Sequence, residues 1–237
     1  MSEAIRISLF GAAGRMGSEV LTSLAKEDDI VVAHAVDIDA NTGKTIAGCT
    51  IEADSPDAGF EADVWVDVTL AEGAVEHALR AQQHGIPIVI GATGFNDDQL
   101  ATLNSLTNAH LIAPNLSQGM NVLFDLATRA AKALKDYDIG IHDVHHRHKL
   151  DQPSGTAKKI YEMLLAVGAE SQTTSQRIGE VVGEHHVIFA AEGETLELVH
   201  RATSRSALAR GVAPAVRFMK GKTSGAYTMA DVLGLDA

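Results

Sequence analysis

Apolar residues in the first half of the chain form short runs that are separated by longer stretches of helical pattern. Each run is predicted to be a buried β-strand because most of its positions are apolar. These runs are residues 5–10, 30–36, 63–69, 87–90 and 110–113, and the predicted helices between them include 72–85 and 96–108. The alternation of strand and helix predicts an α/β domain with a doubly wound parallel sheet.

The second half of the chain has a different pattern. Helices are predicted over 121–134 and 154–167, and strands over 137–144, 176–178, 186–190 and 196–202. Pro153 suits the first position of the second helix, since proline has no N–H to lose there. The order predicts an α+β domain with a mixed or antiparallel sheet over 118–204. A helix over 211–220 and the tail at 227–233 are expected to return to the first domain, which therefore comprises 1–117 and 205–237.

A glycine-rich turn follows the first predicted strand. Gly11, Gly14 and Gly17 precede a helical pattern that runs to residue 26, and Asp37 ends the second strand. This context is typical of a Rossmann-type dinucleotide site, in which glycines admit the pyrophosphate at a helix N-terminus and an acid binds the adenosine ribose. Ile38 follows that acid where an arginine would favour NADP, so we expect NADH over NADPH, although the nearby Lys44 weakens this preference.

Three further strand ends carry small or polar residues, at 67–69, 91–94 and 113–116. Ligands bind at the carboxyl ends of the strands in an open parallel sheet, so these segments are predicted to line the cofactor crevice. For any one of them alone, ordinary turn formation is the simpler explanation.

The charge balance and the single cysteine narrow the possible functions. The chain has 31 acidic and 19 basic residues, and this net charge of -12 argues against nonspecific nucleic-acid binding. Any site for an anion must therefore be local. Cys49 alone can build neither an internal disulfide nor a cysteine-based metal site. Apolar runs stay well short of the ~20 residues of a membrane helix, and a strand so near the N-terminus leaves no room for a signal peptide, so we expect a cytoplasmic protein.

The segment from His142 to Ala157 contains the highest density of side chains that can bind an anion or transfer a proton. Four histidines, one arginine and one lysine are followed directly by a predicted helix start; they are His142, His145, His146, Arg147, His148 and Lys149. Amides of Gly155 and Thr156 in the first helical turn could bind a carboxylate. The histidines and the lysine could supply protons, and Asp143 could fix a histidine tautomer. The pattern indicates a site that anchors and protonates a small acidic substrate.

Two other interpretations of this segment remain open. It could be a solvated basic loop without a role. Alternatively, the four histidines could bind zinc, although Arg147 and Lys149 would repel a cation.

Four motifs resemble those of the bacterial 4-hydroxy-tetrahydrodipicolinate reductase family, also called dihydrodipicolinate reductases. They are GAAGRMG at 11–17, GATG at 91–94, APNLSQGMN at 113–121 and HHRHKLDQPSGTA at 145–157, of which the last is the most specific. The resemblance runs end to end. It implies hydride transfer from NADH or NADPH to a cyclic unsaturated dicarboxylate in lysine and diaminopimelate biosynthesis, by a homotetramer assembled through the sheet of the second domain.

The resemblance also implies a role for individual residues. His145 matches a proton donor and acceptor, Lys149 a second proton donor, and His146 a substrate contact, while Gly155 and Thr156 match the residues that bind a substrate carboxylate. The cofactor positions are Gly11, Ala12, Ala13, Gly14, Arg15, Met16, Asp37, Gly91, Ala92, Thr93, Ala113, Pro114, Asn115 and Leu116. No metal, nucleic acid or membrane is expected as a partner.

The chain departs from the family pattern at a few places. Gln152 replaces an alanine, Asp143 stands where glutamate is common, and Ala92 replaces a threonine. The segment between Val167 and His186 is about twenty residues shorter than in familiar members, so we expect a missing loop and part of a strand there. Two other functions stay open: a dehydrogenase of another small amino or keto acid, and a dinucleotide sensor without catalysis.

Overall fold

The computed structural model describes residues 3–235 and contains two compact units. The first unit consists of the chain up to Ser117 together with Leu208–Gly234, and the second consists mainly of Gln118–Ala207. Within residues 3–235, no helix combines the length and the apolar character needed to cross a bilayer.

The described residues form strands and helices in the following order along the chain. The strands are β1 (Ile5–Phe10), β2 (Ile30–Asp37), β3 (Thr45–Ile46), β4 (Cys49–Ala53), β5 (Val64–Asp67), β6 (Ile88–Ile90), β7 (His110–Ile112), β8 (Asp138–His145), β9 (Gln172–Arg177), β10 (Gly183–Ala191), β11 (Glu194–Ala202) and β12 (Ala226–Tyr227). The helices are α1 (Arg15–Leu24), α2 (Ala71–His84), α3 (Asp97–Asn104), α4 (Gln118–Ala133), α5 (Gly155–Ala166), α6 (Ser206–Ala209), α7 (Val212–Met219) and α8 (Met229–Leu233).

The first unit contains one sheet with the strand order β12-β7-β6-β5-β1-β2-β4-β3. Its strands are parallel except for the short edge strand β3, which forms an antiparallel hairpin with β4. The expected Rossmann-type parallel sheet is therefore confirmed. The β3–β4 hairpin was not predicted, because β3 has two residues and no apolar run marks it.

Helices cover both faces of this sheet. Along β1, Leu9 packs in one apolar cluster with α1 and α7, whereas Phe10 packs in a second cluster with α2 and α3. Successive strand residues point to opposite faces, so a strand buried on both sides must be apolar at nearly every position. This explains why β1, which is apolar at four of its six positions and buried at five, lies in the interior of the sheet.

The second unit is built on a four-stranded mixed sheet with the order β11-β10-β8-β9. The central strand β8 pairs parallel to β9 and antiparallel to β10. Ile141 and Phe189 on one face of the sheet share an apolar cluster with Phe124 of α4 and Ile160 of α5. The expected mixed sheet is confirmed.

One local expectation about the second unit was wrong. Pro153 does not open α5: Ser154 is the N-cap, its Oγ accepts from the amide of Ala157 at 3.2 Å, and Gly155 is the first helical residue. A serine cap satisfies an amide that proline could not. The predicted strand at 176–178 overlaps the end of a longer strand, β9, which pairs with β8 from Gly140 to His145. Its sequence, QTTSQR, contains no apolar run, so the hydrophobic pattern did not indicate most of this strand.

Candidate active site

The glycine turn of the first unit is built for close backbone contact. Gly11 has a φ of +80°, which favours glycine, and its amide donates to the Val36 carbonyl. A Cβ on Gly17 would lie 2.1 Å from the Gly11 carbonyl oxygen and 2.7 Å from the Ala12 Cα. Helix α1 can thus approach the turn only because residue 17 has no side chain.

The N-terminus of α1 suits an anionic ligand. Its N-cap, Gly14, offers no side chain to bond the amides of the first turn, and that turn contains no acidic residue. The positive end of the helix dipole and these amides match the needs of a pyrophosphate. The residues of this turn therefore fit a dinucleotide.

Asp37 lies directly against the same turn. One of its carboxylate oxygens accepts from the amide of Ala13 at 2.8 Å, and the other accepts from Ile38 N and Asn41 Nδ2. Lys44 Nζ in turn donates to Asn41 Oδ1. The predicted ribose-binding acid is thus held at the turn, with an ammonium group one side chain away from it.

The other predicted cofactor segments follow neighbouring strands of the sheet. The amide of Gly91 donates to the Asp67 carbonyl at 2.8 Å, and that of Ala113 to the Ile90 carbonyl at 2.8 Å. A Cβ on Gly91 would lie 2.9 Å from Leu116 Cδ1. Ala92, Ala113 and Leu116 are at most 3% exposed, so their side chains contribute to packing, and only their backbone groups could contact a ligand.

A buried ion network beside these strand ends was not predicted from the sequence. His77 of α2 lies between two carboxylates, with Nδ1 2.5 Å from Asp67 and Nε2 2.8 Å from Asp54. Arg80 also pairs with Asp54, at 2.9 Å. Burial alone would lower the pKa of His77, but the two carboxylates outweigh it and raise that pKa. Asp67 also accepts from the amide and hydroxyl of Thr69, so the network fixes the turn after β5.

Removal of the His77 charge should destabilise the first unit. We expect His77→Gln to lower its free energy of unfolding by about 3 kcal/mol at pH 6, since buried Asp67 loses its counter-charge. A raised folded pKa means that the stabilisation is complete below the ordinary value of about 6.5 and is lost as the pH rises through the folded value. The deficit should therefore shrink between pH 6 and pH 10.

Urea unfolding followed by the fluorescence of Trp65 measures this effect. Trp65 is the only tryptophan and is buried in the first unit. The control is His34→Gln, because His34 pairs with the half-exposed Glu52 and should contribute at most about 1 kcal/mol. If the two variants lost equal free energy of unfolding, or if the loss in His77→Gln did not depend on pH, the stabilising charge on His77 would be contradicted.

The second unit centres on one buried carboxylate, Asp143 of β8, which has no exposed surface. Its Oδ1 lies 2.8 Å from His145 Nδ1 and 3.5 Å from His185 Nε2. Its Oδ2 accepts from the amide of Ser154 and from the guanidinium of Arg177, both at 3.0 Å. Burial alone would raise the pKa of Asp143, but the contacts with His145, Ser154 and Arg177 together lower it well below its usual range.

The predicted lysine lies at the start of α5. Lys149 Nζ is 2.7 Å from one oxygen of Asp151, whose other oxygen accepts from the amide of Gly155 at 3.3 Å. Burial would raise the pKa of Asp151, but the bonds from Lys149 and from the amide of Gly155 lower it. The amide of Gly155 thus has a carboxylate acceptor within the chain. One carboxylate already bridges two of the groups that were predicted to bind a substrate acid.

The structure does not bring the four histidines of the motif together. On the sheet face opposite to His145, His142 bonds to Thr174 and meets the ring of His186 edge to face, while His148 is exposed. A different trio converges, namely Asp143, His145 and His185, whose ligand atoms all lie within 4.8 Å of one another. The Arg177 guanidinium shares that carboxylate, so a cation there would meet an existing positive charge.

Sequence reasoning missed two members of this cluster, Arg177 and His185. Both come from strands that follow α5 in the chain, far from the motif at 145–157. His185 is 4% exposed, and burial together with nearby positive groups lowers its pKa to about 4. Its position on β10, directly opposite Asp143, could be found only once the strand register was known.

Known proteins are similar to this chain over nearly its whole length. Family models of dihydrodipicolinate reductase match residues 5–116 (N-terminus) and 119–233 (C-terminus). The 4-hydroxy-tetrahydrodipicolinate reductase of Anaeromyxobacter dehalogenans (strain 2CP-1) is 38% identical, with 97% of this chain and 98% of the relative covered. That of Methanothermobacter thermautotrophicus is 36% identical, with 98% and 100% covered.

Solved structures give the same fold. A dipicolinate-bound dihydrodipicolinate reductase from Paenisporosarcina sp. TG-14 superposes with a TM-score of 0.78 at 22% identity, covering 95% of this chain and 97% of its own. An aspartate semialdehyde dehydrogenase II from Vibrio cholerae reaches 0.62 at 10% identity, covering 92% and 98%. At these identities the likeness concerns the fold alone.

Proposed function

The chain belongs to the dihydrodipicolinate reductase family, and from this premise we propose which of its residues carry out the reaction. Its activity is that of the family, an NAD(P)H-dependent reduction in lysine and diaminopimelate biosynthesis. The proposed substrate is a cyclic unsaturated dicarboxylate. We assign the cofactor to residues 1–117 and 205–237 and the substrate to residues 118–204.

One observation carries the assignment of the substrate site. The ammonium of Lys149 and the amide of Gly155 both contact the single carboxylate of Asp151. This arrangement supports a site in which Gly155 and Thr156 bind one carboxylate of the substrate, with the help of the α5 dipole. His146 and Lys149 are then the further substrate contacts.

Proton delivery is assigned to His145 and Lys149. Asp143 lies 2.8 Å from Nδ1 of His145 and so orients the imidazole, and the ionised carboxylate favours a proton on that nitrogen. The other ring nitrogen is then free to exchange a proton with the substrate. Lys149 has three donors on a mobile stem and can hold a carboxylate or deliver a proton. The reduced nicotinamide, when bound, supplies the hydride.

We propose that the cofactor is held by the turn 11–16, by Asp37, and by the strand ends at 91–93 and 113–116. NADH is the preferred form, because the Asp37 carboxylate suits free ribose hydroxyls and would repel a 2′-phosphate. Lys44 reaches Asn41, which itself bonds to Asp37, so an ammonium is close enough to offset part of that repulsion. NADPH should therefore be used, but less efficiently than NADH.

Lys44→Met should separate the two cofactors. We expect kcat/KM for NADPH to fall about fivefold, equivalent to about 1 kcal/mol of a partly screened charge pair, and kcat/KM for NADH to change less than about twofold. Steady-state kinetics at fixed ionic strength measure both values. Lys26→Met, at an exposed position behind α1, is the control and should alter neither. An equal fall in kcat/KM for NADPH and NADH would show that Lys44 does not distinguish the 2′-phosphate.

The function itself is tested by nicotinamide absorbance with the freshly generated pathway intermediate. NADH and NADPH are compared, and oxidation of aspartate and homoserine is assayed alongside. Turnover of the intermediate alone supports the proposed substrate. Turnover of an amino acid instead would identify a dehydrogenase on the same fold, and saturable cofactor binding without any turnover would identify a sensor.

We further propose a homotetramer that assembles through the sheet of the second unit. Support comes from the sheet face opposite α4 and α5, where β10 and β11 carry the apolar side chains of Ile188 and Val199. Sedimentation analysis would measure the assembly, and a monomer at micromolar concentration would refute it.

We also propose a cytoplasmic location, in line with the single free cysteine.

A further inference from the structure

We propose that Asp143 and Arg177 are positioning residues that hold the proton donor His145 and the first turn of α5 in one fixed arrangement. The inference rests on the proposed function, because it concerns the groups assigned there to proton transfer and carboxylate binding. It adds two residues that lie outside the positions matched by the family motifs.

The two oxygens of Asp143 serve different parts of the site. Oδ1 faces the imidazole of His145, which lies two residues further along β8 and therefore on the same face of the sheet. Oδ2 accepts from the amide of Ser154, the N-cap of α5. A single buried side chain thus fixes the distance between the proton donor and the helix start that is assigned to the substrate carboxylate.

Arg177 holds this carboxylate from the neighbouring strand. It is paired in register with His145 across β8 and β9, and its side chain is 11% exposed. The same terminal nitrogen donates to Asp143 Oδ2 at 3.0 Å and to the Asp151 carbonyl at 2.5 Å. Through its bond to the Asp151 carbonyl, the guanidinium therefore also holds the loop that contains Lys149. Because it binds two acceptors at once, a point charge should replace it poorly.

The charges in this cluster support a defined tautomer of His145. Arg177 donates to the Asp143 carboxylate at 3.0 Å and is the permanent cation that balances its charge. Asp143 Oδ1 lies 2.8 Å from Nδ1 of His145, so the ionised carboxylate favours a proton on that nitrogen, and Nε2 is then the nitrogen that takes up a proton and passes it to the substrate. Gly183 keeps that edge of the ring open, since a Cβ there would lie 3.0 Å from Nε2.

Four variants test the positioning roles through separate values of kcat and KM. We expect Asp143→Asn and Arg177→Met each to lower kcat by roughly 30- to 100-fold and to raise KM for the dicarboxylate, with the dissociation constant of NADH unchanged within about twofold. Asp143→Glu, which retains the charge, should recover a substantial part of kcat. Arg129→Met is the matched control, because Arg129 binds the carboxylate of Asp125 on the surface of α4.

Substitution of glycine tests the open edge of the ring independently. Gly183→Ala should lower kcat about tenfold by placing a methyl group against Nε2. Gly140→Ala is the control, since its new methyl group would meet only an ordinary contact at 3.9 Å. Neither glycine has a positive φ.

A spectroscopic measurement separates this inference from the proposed function. Long-range 1H–15N spectra of the wild-type enzyme, recorded at a pH where the His145 ring is neutral, should show the ring proton on Nδ1, and Asp143→Asn should give a mixture of tautomers. The signals are assigned by their loss in His145→Gln. A wild-type enzyme with this tautomer but no turnover of the dicarboxylate would defeat the proposed function alone. A wild-type ring protonated on Nε2, or kcat within twofold of wild type in both Asp143→Asn and Arg177→Met, would overturn the positioning roles.

Discussion

Replacement of Lys149 by methionine is expected to lower kcat/KM for the dicarboxylate by about three orders of magnitude. Loss of a positioned proton donor costs roughly 10² to 10⁴ in rate, and the ammonium is also assigned to substrate binding. Methionine preserves most of the length and apolar stem of the side chain, so the change removes chiefly charge and donors. The fall should appear in both kcat and KM, since Lys149 is assigned two roles.

The matched control for this experiment is Lys158→Met, which removes an exposed lysine of α5. Its kinetic constants should stay within about twofold of wild type. NADH binding, measured by fluorescence, should be unchanged in both variants because Lys149 and the glycine turn belong to different units. Near-normal turnover by Lys149→Met would leave His145 as the only proton donor and refute the assigned role of the lysine.

Gly17→Ala should cause the largest loss of stability and of cofactor binding in the first unit. The new Cβ would lie 2.1 Å from a backbone oxygen, so either α1 or the turn must move. Overpacking against the backbone costs about 3 kcal/mol or more, and displacement of the helix start also removes the amides assigned to the pyrophosphate. We expect NADH affinity to fall at least about 100-fold.

Trp65 fluorescence in urea and calorimetric titration with NADH measure these two effects. Gly140→Ala is again the control, since its methyl group meets an ordinary contact in the second unit. If Gly17→Ala bound NADH as tightly as wild type, the close approach of α1 to the turn would not be needed for cofactor binding.

The strands of the first unit could be predicted because they are buried on two faces. β1 is apolar at most positions, and its predicted bounds, 5–10, match those observed. The polar strand β9 lies at the edge of its sheet, where partly exposed positions alternate with exposed ones and leave no apolar run. The predicted helix over 96–108 ends at Asn104, because Ser105 takes the C-cap position and the following residues form a loop.

The site shows the same division between local and distant signals. Lys149, Gly155 and Thr156 lie within one contiguous motif, whereas Arg177 joins them only through the pairing of β9 with β8. His77 had no local signal either, since a histidine on a helix becomes meaningful only when Asp54 and Asp67 are found on both sides of it. Site residues that are neighbours in the chain can be predicted from the sequence. Site residues that come from different strands can be identified only when the pairing register of those strands is known.

Asp151 has a further consequence for how ligand affinity is interpreted. Its side chain already occupies the amide of Gly155 and the ammonium of Lys149. A dicarboxylate that uses these groups must therefore displace the carboxylate of Asp151. Binding then replaces an intramolecular carboxylate by one of the ligand. Measured affinity then reports the difference between two competitors, and monocarboxylates too weak to displace Asp151 would go undetected even though every donor that they require is present.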